Sequence, residues 1–214
     1  MKSVLGKKNL DLFKLADDDP AQEEKPGNIH TIESGFLPHI EHTLNLSVID
    51  TDLIENQKFT VVIDAVNGAA SLAIPAMLEA LGCTVYRLYC DPDGKFPRGA
   101  EPLPCNLHKL GETVVEKKAD VGFATDPDGD RLAVVDENGQ PLGEEYTLTI
   151  CADGFFSSTS STLPLVTNLS TTMALDRVAE KHGSFVIRST VGEINVVNQM
   201  KEVDALLGGE GNGG

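Results

Sequence analysis

The stretch Ala119-Asp120-Val121-Gly122-Phe123-Ala124-Thr125-Asp126-Pro127-Asp128-Gly129-Asp130-Arg131-Leu132-Ala133-Val134-Val135 sets two short apolar runs on either side of an acidic bend. Both runs are too short for helices and read as strands. The first, Ala119 to Ala124, is a buried strand entering the bend. The second, Leu132 to Val135, leaves it, and Asp136-Glu137-Asn138-Gly139-Gln140 closes with an Asn-Gly turn. The bend therefore sits at a strand end on a sheet edge, where α/β folds keep their sites.

Upstream, Phe59 to Ile63 reads as a strand and Asn67-Gly68 as a tight turn. Pro75 fits the first turn of a helix whose apolar side is Ile74, Met77, Leu78 and Leu81. Gly82 stops that helix, and Thr84 to Leu88 is the next strand. Asp91 to Pro104 is rich in Pro and Gly and reads as loop, and Leu107 to Lys117 reads as helix. A further helix is expected over Phe36 to Leu46, with Leu37, Ile40, Leu44 and Val48 on one face. This alternation predicts an α/β fold: a layered α/β/α domain with a mixed sheet over residues 34–153.

Downstream, Gly154 to Thr162 is Ser/Thr-rich and is expected to carry the domain boundary. Leu163 to Thr167 reads as a strand. Ser170 is placed as the cap of a helix over Thr171 to His182, ended by Gly183. Phe185 to Arg188 is a strand, Ile194 to Lys201 a helix, and Ala205 to Leu207 a last short strand. Residues 154–214 thus make a truncated second α/β domain of similar type. Residues 1–33 hold Asp17-Asp18-Asp19-Pro20 and Glu23-Glu24-Lys25-Pro26-Gly27, and are expected to form a mobile N-terminal arm.

There are 33 acidic against 17 basic residues, a formal charge of -16. That argues against a nucleic-acid partner and against anchoring on anionic lipid. No apolar run is long enough to span a bilayer and no apolar signal segment opens the chain, so a cytoplasmic location is expected. Cys83, Cys90, Cys105 and Cys151 lack CxxC spacing and read as free thiols, not as disulfides or a zinc site.

Asp126, Asp128 and Asp130 repel one another, and a cation among them would relieve that repulsion. Hard oxygen ligands on a sharp turn suit Mg²⁺ or Ca²⁺. Arg131 follows at once, with a guanidinium shaped to grip phosphate through two parallel hydrogen bonds. Metal beside arginine is an arrangement for handling a phosphoryl group. Other readings stand beside it. One is a solvated acidic turn. Another is a non-catalytic calcium-binding module of EF-hand type: the spacing fits through Asp130 and places Glu137 twelfth, but Arg131 stands where that loop needs glycine, and the flanks read as strands. A third is an aspartyl phosphatase with Asp126 as nucleophile and Asp128 as acid. His39 and His42 lie three apart on a helix and read as a solvated face.

The bend from Thr125 to Arg131 resembles the metal-binding loop of the α-D-phosphohexomutases: phosphoglucomutase, phosphomannomutase and phosphoglucosamine mutase. Val61 to Ala69, Phe96 to Pro104, Val166 to Thr172, Arg188 to Glu193 and Gly208 to Gly214 resemble segments of that family in the same order. The resemblance covers about residues 36 to 214. It implies that Asp126, Asp128 and Asp130 hold Mg²⁺, and that Arg131 is catalytic, keeping the enzyme's phosphoserine and the metal in register. It implies that Glu210 and Asn212 bind the sugar. One family version carries Ser where Asn212 stands and His where Gly214 stands, and many members carry Lys where Thr190 stands. The implied reaction moves a phosphoryl group between C1 and C6 of a hexose phosphate through a hexose 1,6-bisphosphate. The family's transferring serine lies in a Thr-x-Ser-His-Asn-Pro motif, and no serine here precedes His-Asn-Pro. The chain is therefore expected to be a central fragment, inactive alone. Self-association is expected through apolar surface at Leu206 and Leu207.

Overall fold

The computed structural model describes residues 30, 32 and 34–214. The expected N-terminal arm falls almost entirely outside the described residues. The rest of the chain builds two sheets, one after the other.

The first sheet is made by β1 (Thr60–Asp64), β2 (Thr84–Leu88), β3 (Val121–Thr125) and β4 (Leu132–Val135), in the order β2-β1-β3-β4. β1 pairs in parallel with both β2 and β3, whereas β4 runs antiparallel to β3. The sheet is mixed, as expected. A parallel pair needs a crossover, and α3 (Ala73–Ala80) and α4 (His108–Lys117) supply the two. They cover opposite faces, so β1 must be apolar on both sides. Val61 and Ile63 pack with Leu78 and Ile74 of α3. Val62 packs with Leu110 and Val114 of α4. Asp64, last in β1, breaks this apolar run and is fully buried.

Two short helices precede β1. α1 (Leu37–Leu44) lies within the expected range, but only Ile40 on it is buried; Leu37 and Val48 are about half exposed, so the expected four-residue apolar face is reduced to one anchor. α2 (Thr51–Gln57) has no counterpart in the sequence reading. It buries no residue and so carries no periodic apolar signal; its start is marked by Asp50, whose side chain accepts from Leu53 N.

The second unit corrects the sequence reading most. α5 (Glu145–Thr159) runs unbroken through the Ser/Thr-rich stretch, so the boundary expected at residues 153/154 falls inside a helix. Leu148, Ala152 and Phe156, four apart, decide this by burying one stripe against Leu165, Leu175 and Ala179. The hydroxyls are no obstacle. Thr159 Oγ1 and Ser158 Oγ each donate to Phe155 O, within the helix itself.

β5 (Leu165–Asn168), β6 (Val186–Ser189) and β7 (Leu207–Gly209) form a parallel sheet in the order β6-β5-β7. α6 (Ala174–Lys181) packs beside α5, and α7 (Glu193–Val203) packs against β5 and β7. Ser170 does not cap α6, which starts at Met173 without a side-chain cap. Instead Ser170 N and Oγ both donate to Asn168 Oδ1. Leu206 is exposed as expected, but Leu207 packs against the second core. No helix among the described residues is long and apolar enough to cross a membrane.

Candidate active site

The acidic bend joins the end of β3 to β4. Asp126 follows the last residue of β3 and is only 4% exposed. Its Oδ1 accepts from Gly129 N and Arg131 N, both at 3.1 Å, so the bend is wound around this carboxylate. Asp128 and Asp130 are exposed, and one oxygen from each of the three aspartates lies within 4.8 Å of the others. One member is anchored by backbone N–H groups and two are free to adjust. This set of hard oxygen donors fits a divalent cation such as Mg²⁺. The flanks are strands, which removes the helix-loop-helix frame of an EF-hand.

Arg131 faces this triad at ion-pair distance, but its hydrogen bond goes elsewhere. Its Nε lies 3.9 Å from both Asp126 Oδ2 and Asp130 Oδ1, whereas Nη1 donates to Glu101 Oε2. Burial works against its charge, but Glu101, Asp126 and Asp130 outweigh that and hold its pKa above the ordinary value.

Two supports beneath the bend escaped the sequence reading. Arg98, 5% exposed in its side chain, donates from Nε to Asp64 Oδ2 at 2.7 Å and from Nη2 to Thr125 O at 2.6 Å. It thus ties the ends of β1 and β3 together directly below Asp126. Burial pushes the Asp64 carboxyl up, against the pull of Arg98 and of Val66 N. The second support is the Asn67-Gly68 turn, expected only as a tight connection. Val66 and Asn67 have φ of 48° and 56°, rare for any side chain and strained for a β-branched one. They press Gly68 onto the bend, where a Cβ would lie 2.4 Å from Pro127 O, and Ala69 N donates to that oxygen at 2.8 Å.

The glycine loop after β7 comes to the same place. Glu210 Oε1 accepts from Asn168 Nδ2 at 2.7 Å and from Gly192 N at 2.8 Å. Asn212 Oδ1 accepts from Gly214 N. Asp130, Arg131, Glu210 and Asn212 all line one cleft of about 410 Å³, walled on its apolar side by Val196, Val197 and Met200 of α7. That size suits a small ligand. A larger, shallower groove of about 900 Å³ between α4 and the Asn138-Gly139 turn shares no lining residue with it. Thr190 is exposed. Arg188 serves the frame: Nη1 donates to Asn168 O and Thr171 O, and Nη2 to Asp176. The four cysteines are free.

Comparison with known proteins gives this architecture a family. Residues 35–139 match the model for phosphoglucomutase/phosphomannomutase α/β/α domain II, and residues 143–214 match that for domain III. The chain belongs to the phosphoglucomutase/phosphomannomutase family. It is 38% identical over 205 residues to a phosphoglucomutase/phosphomannomutase of Thermococcus kodakarensis, covering 95% of this chain and 44% of that relative. It is 32% identical over 188 residues to a probable phosphoglucosamine mutase of Methanopyrus kandleri, covering 87% of this chain and 40% of that one. The chain thus spans less than half the length of these relatives. Among solved structures it resembles a phosphoglucomutase/phosphomannomutase family protein of Burkholderia thailandensis, with a TM-score of 0.66, 29% identity, and coverage of 76% of this chain and 37% of that one. A putative phosphomannomutase of Thermus thermophilus shares the fold at a TM-score of 0.72 and 23% identity, over 88% of this chain and 43% of that one.

Proposed function

We propose that this chain is the central part of a phosphohexomutase and supplies its metal-binding and sugar-binding loops. The observation that carries the reading is the meeting of the two loops: an aspartate triad with an arginine on one wall of a cleft, and a carboxylate on a glycine loop on the other. Asp126, Asp128 and Asp130 would hold Mg²⁺, which when bound supplies positive charge against the charge developing on phosphoryl oxygens. Arg131, drawn aside by Glu101, keeps Nε and Nη2 for a phosphate oxygen. Glu210 uses Oε1 for the frame and keeps Oε2 to accept a hydroxyl hydrogen of a hexose. Asn212 offers its amide beside it. Phosphoryl transfer then runs between C1 and C6 of a hexose phosphate by way of a hexose 1,6-bisphosphate, which must turn over in the cleft. The serine that carries the phosphoryl group is not supplied by these residues, and the chain does not turn over alone.

The test is an assay of the chain with glucose 1-phosphate, glucose 1,6-bisphosphate and Mg²⁺, alongside calorimetry. No turnover and weak Mg²⁺ binding that disappears in D128N/D130N are expected. Turnover above a blank would refute the division of labour. Submicromolar Ca²⁺ binding with far weaker Mg²⁺ would favour a calcium module instead.

A further inference from the structure

Thr167, Asn168 and Thr171 are 0%, 3% and 6% exposed. Polar groups buried this deeply persist only where their hydrogen bonds are made. Here the bonds go to three consecutive residues of the glycine loop. Thr167 Oγ1 donates to Gly209 O at 2.8 Å, Asn168 Nδ2 donates to Glu210 Oε1 at 2.7 Å, and Thr171 Oγ1 accepts from Gly211 N at 2.9 Å. The three also brace one another. Thr171 Oγ1 donates to Asn168 Oδ1 at 2.8 Å, and Thr167 Oγ1 lies 2.7 Å from Thr171 Oγ1.

The direction of the Asn168 amide is fixed independently of Glu210. Ser170 N, which can only donate, reaches Asn168 Oδ1 at 3.0 Å. The opposite side of the amide must therefore be the donor, and it is aimed at Glu210. Gly192 N, at the start of α7, donates to the same carboxylate oxygen. Two separate elements, the end of β5 and the start of α7, thus converge on Oε1, while Oε2 is bonded to no protein group among the described residues.

We infer that Asn168, braced by Thr167 and Thr171, is a positioning residue that turns the Glu210 carboxylate so that its free oxygen receives hydroxyl hydrogens of a hexose phosphate. The inference rests on the proposed reading of Glu210 as the sugar carboxylate. A buried amide in need only of an acceptor would be served by a backbone carbonyl. Spending two N–H donors on one carboxylate oxygen serves to fix the direction of the other.

The test uses the whole chain, titrated with glucose 1-phosphate in the presence of Mg²⁺ and followed by NMR. The variants are N168D, E210Q and N168D/E210Q. N168D keeps the shape of the side chain but sets a second carboxylate against Glu210. It is expected to weaken binding about tenfold, and to move the Gly192 and Gly211 amide resonances before ligand is added. In the E210Q background it is expected to add little, because the group it acts through is gone. Equal weakening in both backgrounds, or wild-type affinity in N168D, overturns the inference. Should the wild-type chain bind no hexose phosphate, it is the sugar-site reading that fails. The unliganded spectra then decide the positioning, and unmoved Gly192 and Gly211 amides in N168D overturn it. If N168D does not fold, T171V carries the same comparisons, with about a threefold loss expected for one neutral hydrogen bond; an unchanged affinity and unmoved Gly211 amide there also overturn the inference.

Discussion

Arg98→Met isolates the support beneath the aspartate bend. Methionine keeps an apolar stem of similar reach, so the change removes charge and hydrogen bonds more than volume. What is lost is the 2.7 Å bond to Asp64 Oδ2 and the 2.6 Å bond to Thr125 O, with two longer bonds from Nη1 to Gly99 O and Glu101 O at 3.3 and 3.5 Å. Asp64 is then left fully buried, with Val66 N as its remaining donor. Removing one partner of a buried ion pair costs about 3–5 kcal/mol, against a total stability of about 5–15 kcal/mol for a typical domain. The loss depends on pH, and its sign follows from the direction of the Asp64 shift. Burial already pushes this carboxyl above its unfolded value, with Arg98 opposing; without Arg98 it rises further. A carboxyl raised by folding favours the folded state most below its unfolded pKa, and that advantage is lost as pH rises through the folded one. R98M should therefore be far weaker relative to wild type near about pH 8 than near about pH 5. Urea unfolding at both pH values measures this, and D64N/R98M, which removes the orphaned charge, should recover most of the deficit at the higher pH. A cost below about 1 kcal/mol at the higher pH, or no recovery in the double variant, would refute the reasoning, because a pair so weak could not be the frame of the bend.

Gly68→Ala tests the second support: φ at Gly68 is -97°, so alanine is conformationally permitted and only the 2.4 Å approach to Pro127 O opposes it. A loss of about 1–3 kcal/mol in urea unfolding is expected, with weaker Mg²⁺ binding by calorimetry; unchanged values for both would show that the turn does not brace the bend. Thr125 Oγ1 is buried without a partner among the described residues. Thr125→Val should therefore leave thermal stability unchanged or raise it by up to about 1 kcal/mol, and a clear loss would reveal a hydrogen bond made by that hydroxyl in solution.

The first sheet was largely legible in the sequence. β2 and β4 fall on the residues expected, because Leu132 to Val135 is a short apolar run and Thr84 to Leu88 is rich in β-branched and aromatic residues, each bounded by turn signals. α2 was not legible, since a helix that buries nothing leaves no periodic pattern, only the Asp50 cap. α5 was not legible as one helix, because Ser157, Ser158 and Thr159 at its exposed end read as a boundary, while Leu148, Ala152 and Phe156 keep the helical stripe. At the candidate site, the three aspartates announce themselves by being adjacent. The Arg98–Asp64 and Arg131–Glu101 pairs do not, for their members lie 34 and 30 positions apart and meet only through the strand order β2-β1-β3-β4. The same holds for Asn168 and Glu210, brought together by the pairing of β5 with β7.

Strand direction explains why all these groups collect in one region. β1, β3, β5 and β7 each run with their C-terminal ends toward a functional loop: the Val66–Gly68 turn, the aspartate bend, the Asn168 turn and the glycine loop in turn. What joins the two sheets' contributions is Leu132, the residue after Arg131. Leu132 N donates to Gly213 O at 2.9 Å, and Thr147 Oγ1 of α5 donates to Leu132 O at 2.6 Å. Gly213 has φ of +94°, and a Cβ there would lie 2.7 Å from Leu132 O, so only glycine lets the loop approach this closely. The span between the aspartates and Glu210 is thereby set by main-chain contact, not by the reach of flexible side chains. The proposed transfer of a phosphoryl group to and from a sugar would need such a span, because a misplacement of about 1 Å is enough to cost about a hundredfold in rate.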